Sequence, residues 1–147
     1  MLYISEEQIS KIKLDAENSY PNECCGFIFG EISDSGKRAV EIRSQKNTSE
    51  KGERYHRFNI SAESMLDAEM YARRNKLDIV GIYHSHPDCP AIPSEYDRAH
   101  ALPVYSYIIV SVVKGKSAEL TCHELDKNSG YRYFIGEQTV IDNKGEI

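Results

Sequence analysis

Asp78-Ile79-Val80-Gly81-Ile82-Tyr83-His84-Ser85-His86-Pro87-Asp88-Cys89-Pro90-Ala91-Ile92-Pro93-Ser94-Glu95-Tyr96-Asp97 is the stretch on which the reading of this chain turns. Its first part, Asp78 to His84, carries Ile79, Val80 and Ile82 and reads as a strand. His84 and His86 stand two residues apart at the end of that strand, so alternation places both imidazoles on one face. Pro87, Pro90 and Pro93 stiffen the connection beyond the strand and exclude a regular helix or central strand there. Ser94 and Asp97 are three apart at a helix start and face the same way. A rigid turn of this kind brings Asp97 back over the two imidazoles.

Two histidines and one carboxylate suit Zn²⁺ with a fourth position left for water, the pattern of catalytic rather than structural zinc. Water bound there drops in pKa from about 15.7 to about 7 and becomes hydroxide near neutrality. The same donor set with open positions also holds non-haem Fe(II), so ligand types alone leave the metal open. Ser94-x-x-Asp97 equally fits a capping box, which only starts a helix. A single histidine at a strand end is more often structural than a ligand. The combination weighs more: four fixed residue types at fixed spacing arise by chance in roughly 1 in 1,000 chains of this length.

Outward from this stretch the pattern mixes strands and helices. Ser5 with Gln8 reads as a capping box, and Ile9, Ile12 and Ala16 share one face, giving a helix from about Glu6 to Ser19 that Pro21 ends. Cys24 to Gly30 is an apolar run bounded by glycine, consistent with a buried strand. Ser33 to Lys37 reads as a turn and Ala39 to Ser44 as the partner strand. Asn47 to Arg54 is a polar loop, and Arg57 to Ile60 a short strand. Ser61 caps a helix over Ala62 to Asn75. A short helix over Ser94 to Leu102 stops at Pro103. Tyr105 to Val113, Ala118 to Leu125 and Tyr131 to Ile135 complete the strands. The fold class is α+β, or mixed α/β, around one sheet. At 147 residues the chain is expected to form a single domain over residues 1–147.

Composition narrows the function. The formal net charge is −5 with no run of Lys or Arg, which argues against a nucleic-acid partner. The longest apolar stretch, Tyr107 to Val113, is too short to span a bilayer. The N-terminus lacks the basic and apolar regions of a secretory leader, so the expected location is cytoplasmic. Cys24, Cys25, Cys89 and Cys122 match no Cys-x-x-Cys pattern and read as reduced thiols. Cys24 and Cys25 point to opposite faces of their strand, and Cys89 reads as a loop thiol. His56, His100 and His123 have no ligand spacing, and His123-Glu124-Leu125-Asp126-Lys127 lacks the second histidine of a zincin.

His84-x-His86-x7-Ser94-x-x-Asp97 resembles the metal motif of the JAMM, or MPN+, metalloprotease family (JAB1/MPN/Mov34). The upstream Glu23-Cys24-Cys25-Gly26-Phe27-Ile28-Phe29-Gly30 resembles that family's glutamate-bearing first strand, E-x-C-G-x-hydrophobic-x-G. Both matches sit in the family's order, and the resemblance covers essentially the whole chain. It implies a single curved mixed sheet flanked by helices, the MPN/JAB1 (cytidine-deaminase-like) fold. It implies one zinc per chain on His84, His86 and Asp97. By the same resemblance Glu23 is the acid/base residue and Ser94 stabilises the tetrahedral oxyanion. The compact chain is similar to small stand-alone prokaryotic members, which act on ubiquitin-like sulfur carrier proteins at the C-terminal Gly-Gly tail. The alternative is a non-catalytic interaction domain that retains the motif. A DNA-repair role, suggested by a bacterial family with a related domain, is disfavoured by the acidic charge.

Overall fold

A computed structural model describes residues 1–49, 54 and 57–143. Among these residues eight strands form one sheet: β1 (Leu2–Ile4), β2 (Cys25–Ser33), β3 (Gly36–Gln45), β4 (Asp78–Pro87), β5 (Ser106–Val113), β6 (Lys116–Leu125), β7 (Phe134–Gly136) and β8 (Thr139–Ile141). Their order is β7-β6-β5-β4-β2-β3-β1-β8. Pairing is mixed. β4 runs parallel to β5 and β1 parallel to both β3 and β8, while β2, β3, β6 and β7 join antiparallel neighbours. The sheet curls. Lys37 on β3 donates to Ser106 Oγ of β5 at 2.9 Å and meets Glu124 of β6 at 3.8 Å, although two strands separate β3 from β5.

Helices α1 (Glu6–Ser19), α2 (Ala62–Arg74) and α3 (Glu95–His100) accompany the sheet. α1 starts at the expected capping box: Ser5 Oγ accepts the Gln8 amide at 3.1 Å and Gln8 Oε1 accepts the Ser5 amide at 3.0 Å. Its Ile12 and Ala16 pack with Cys24, Ile28, Val80, Tyr83 and Val110 on one face of the sheet. A Cβ at Gly26 would stand 2.3 Å from the Tyr83 ring. The glycine makes room for that ring, whose hydroxyl donates to Asp15 of α1 at 2.8 Å. On the opposite face α2 packs Ala68 and Ala72 against Phe27, Phe29, Ile79, Ile82 and Tyr107. The result is an α+β fold on one curved mixed sheet. Among the described residues no helix is long and apolar enough to cross a membrane.

Several sequence expectations need correction. Arg57 to Ile60 is not a strand. One backbone bond, from the Thr48 amide to the Asn59 carbonyl at 2.9 Å, and side chains hold this segment instead: the Asn59 amide donates to Asn47 Oδ1 at 3.1 Å, and Thr48 Oγ1 donates to the Asn59 carbonyl at 2.9 Å. The strand expected over Tyr131 to Ile135 contracts to Phe134–Gly136, because Gly130 and Tyr131 adopt φ of 70° and 63° after a 3-10 turn at Lys127–Ser129. β4 runs past the histidines to Pro87, tolerated as its last residue. β1 and β8, three residues each, were not foreseen. Of the polar loop from Asn47 to Arg54, positions 50–53 lie outside the described residues, as does His56.

Candidate metal centre

β4 lies between β2 and β5, and its end carries the two histidines. His84 pairs with Cys25 of β2 and Ile109 of β5, and His86 pairs with Ser111. β2 begins where β4 ends. The Cys24 amide donates to Ser85 Oγ at 2.8 Å and the Ser85 amide to the Cys24 carbonyl at 3.3 Å. Paired residues share a face, as do residues two apart. Cys25 and Glu23 therefore face the same way as His84 and His86. Glu23, His84 and His86 are all buried, at 5%, 1% and 8% exposure, and each offers a ligand atom within 4.8 Å of the others.

Asp97 arrives from the other side. Ser94 is the N-cap of α3 and its Oγ accepts the Asp97 amide at 3.0 Å. Asp97 Oδ2 in turn accepts the Ser94 amide at 2.8 Å. The same carboxylate reaches both imidazoles: Oδ1 lies 3.2 Å from His84 Nε2 and Oδ2 3.2 Å from His86 Nε2. The two Nε2 atoms are themselves 3.2 Å apart. Donors in a tetrahedral zinc site, at about 2.0–2.1 Å from the ion, stand about 3.3–3.4 Å from one another. The triangle of two imidazoles and one carboxylate approaches that spacing, with a different carboxylate oxygen facing each imidazole. Asp97 is at once the closing residue of a capping box and a neighbour of both histidines.

A buried polar atom lacking a partner supports the fit. Glu23 Oε1 is buried without a hydrogen bond among the described residues. A carboxylate oxygen left so is costly unless something polar faces it. His86 has its outer ring nitrogen satisfied by the Pro90 carbonyl at 2.9 Å, which turns Nε2 toward the centre. His84 is held differently, by the Phe58 ring stacked at 4.5 Å and 25°. The sequence reading missed Phe58, since nothing local to residue 58 points to residue 84.

Charge in the centre follows burial and contact. Burial pushes the Glu23 carboxyl up to about 8; His86 opposes the shift and Asp97 adds to it. Burial also acts to raise Asp97, but hydrogen bonds from His84 and His86 overcome it and hold that carboxyl well below the usual range. His84 is lowered, chiefly by burial. Burial acts to lower His86 too, yet Asp97 and the Pro90 carbonyl raise it on balance. A cation in the centre would reverse the rise at Glu23.

Two pockets flank the triangle. One of about 360 Å³ exposes His84 and Asp97 among Phe58, Met65, Leu102 and Tyr107. The other, about 270 Å³, exposes Glu23, His86 and Ser94 beside Cys89 and Ile92. Ser94 is itself exposed. Its oxygen accepts the Asp97 amide, which leaves the O–H able to donate elsewhere.

The chain matches the sequence model described as prokaryotic homologs of the JAB domain over residues 5–123, and it belongs to that family. It is 37% identical over 75 residues to a desampylase of Pyrococcus furiosus, a match spanning 51% of this chain and only 49% of that protein. A solution structure from Salinibacter ruber aligns at 31% identity and TM-score 0.74, covering 97% of this chain and 92% of the other. One from Desulfitobacterium hafniense aligns at 23% identity and TM-score 0.81, with 97% and 93% covered. A structure described as a JAMM metalloprotease-like zinc site in the proteasome and signalosome shares the fold at 17% identity and TM-score 0.53, with 95% and 98% covered.

Proposed function

We propose that the protein is a zinc-dependent peptidase or isopeptidase that hydrolyses the amide bond at the C-terminal Gly-Gly tail of a ubiquitin-like sulfur carrier protein. The observation carrying this reading is the pair of imidazole Nε2 atoms 3.2 Å apart, each with one oxygen of the Asp97 carboxylate at 3.2 Å, beside the unpartnered buried oxygen of Glu23. His84, His86 and Asp97 would hold the ion. When bound, zinc supplies Lewis-acid charge and acidifies water. Glu23 takes the proton of the attacking water and delivers it to the leaving amine, so the leaving group belongs in the Glu23 pocket. The Ser94 hydroxyl donates to the carbonyl oxygen as it gains charge. Phe58 screens His84 from solvent.

The likeness to a desampylase supports a ubiquitin-like substrate, although the chain spans about half of that relative's length. The JAMM zinc-site structure of the same fold supports the choice of metal. Glycines at the end of the tail let its backbone approach the ion where a side chain would collide. The test is incubation of zinc-loaded protein with a carrier bearing a C-terminal extension after Gly-Gly, with products weighed by mass spectrometry. Cleavage after the second glycine is expected. Equal cleavage when that glycine is replaced by valine would exclude the Gly-Gly reading and leave the hydrolase reading standing.

A further inference from the structure

Glu23 precedes β2 by two residues and so lies outside the sheet ladder. Its backbone groups need other partners. They find them in the segment after β3: the Glu23 amide donates to the Arg54 carbonyl at 2.7 Å, and Asn47 Nδ2 donates to the Glu23 carbonyl at 3.2 Å. Asn47 Nδ2 also donates to the Arg57 carbonyl at 2.8 Å. Its Oδ1 accepts the amides of Ser49 at 3.0 Å and Asn59 at 3.1 Å. The amide's full capacity of two donated and two accepted bonds is thus in use. Carbonyls surround its nitrogen and N–H groups its oxygen, so the network itself fixes which end is which.

The four partners are not scattered. One is the backbone of Glu23. Two others, Arg57 and Asn59, bracket Phe58, whose ring lies on His84. We propose that Asn47 is a positioning residue of the reaction centre, one side chain that ties the backbone of Glu23 to the segment holding Phe58 over His84. This rests on the reading of Glu23 as the acid/base residue. Asn47 touches neither the ion nor the substrate. It sets the reach of the Glu23 carboxyl toward the imidazoles, where the described residues of the two segments have only single backbone bonds, Glu23 to Arg54 and Thr48 to Asn59, to help hold them. A shift of about 1 Å in such a group lowers turnover by about 100-fold.

The test pairs Asn47→Asp with Asn47→Ala. The aspartate is nearly isosteric and still accepts from Ser49 and Asn59, but it loses both donated bonds and sets a carboxylate against two carbonyls. Zinc-loaded Asn47→Asp, assayed on a carrier extended beyond Gly-Gly, is expected to lose at least about tenfold in kcat. Its KM and its zinc affinity should stay within about twofold, because no ligand is touched. In the metal-free protein the His84 ring resonances should move in both variants as Phe58 loosens. The Ser49 and Asn59 amides should stay protected from exchange in Asn47→Asp and lose protection in Asn47→Ala. Two results would each overturn the proposal: parental kcat with unmoved His84 resonances in both variants, or loss of amide protection across the whole sheet in Asn47→Asp, which would make the residue merely structural. Glu23→Gln, run alongside, separates the two readings. Full activity in Glu23→Gln removes the acid/base assignment itself; an inactive Glu23→Gln beside fully active Asn47 variants removes only the role of Asn47.

Discussion

Asp97 joins two readings that compete in the sequence, since one carboxylate closes the cap of α3 and lies 3.2 Å from both imidazoles. A capping box is local and legible from four consecutive positions; the approach to the histidines needs the turn of Pro87 to Pro93. Glu23 has no local signature. The resemblance singled it out, and the geometry places it within ligand reach of His84 and His86. Glu23→Gln is expected to keep fold and zinc while lowering turnover at least about 100-fold, because the amide cannot take a proton. Ser94→Ala should raise the barrier by roughly one to a few kcal/mol through the lost oxyanion donor. It should also destabilise the fold by about 1 kcal/mol through the lost cap. Thermal unfolding measured beside kcat separates the two. Phe58 and Asn47 were illegible at this scale, since their partners at 84 and 23 are brought to them only by the fold.

At the scale of elements, the long strands and α1 follow their sequence patterns closely, because burial on both faces of β2, β4 and β5 demands continuous apolar runs. Failures fall where pairing is nonlocal or absent. β1 and β8 are three residues long and are recognisable only by their parallel pairing. Arg57 to Ile60 has strand-like composition but meets one backbone amide and the Asn47 and Thr48 side chains rather than a strand ladder. Strand placement also governs the thiols. Cys24, Cys25 and Cys122 are buried and free, while Cys89 is exposed in the loop of the metal motif. Burial raises Cys25 and Cys122 to about 12 and Cys24 further. With a pKa of about 12, on the order of one thiol in 10,000 is ionised at pH 8, and the thiolate is the reactive form. Titration with a thiol reagent at pH 8 should therefore find one fast equivalent in the folded protein and four in denaturant. Fast reaction of a second thiol without unfolding would contradict the described burial.

For the whole molecule, the curled sheet presents the end of β4, the start of β2 and the cap of α3 at one centre, so under the proposed function metal binding and folding would be coupled. An ion that binds only the folded chain adds about 4 kcal/mol at a thousandfold excess over its Kd. For a chain of this size that corresponds to roughly 10 °C in Tm. Chelation should lower Tm by about that much and added zinc should restore it; a Tm indifferent to both would contradict binding of the ion by the folded chain. Zinc-dependent hydrolysis through Glu23 is tested by weighing the products of one carrier substrate extended beyond Gly-Gly. Three preparations are compared: zinc-loaded parent, the parent stripped by chelator, and zinc-loaded Glu23→Gln. The mass of the carrier ending in Gly-Gly is expected from the first alone. Cleavage that survives both chelation and Glu23→Gln, or an intact substrate in all three, would contradict it.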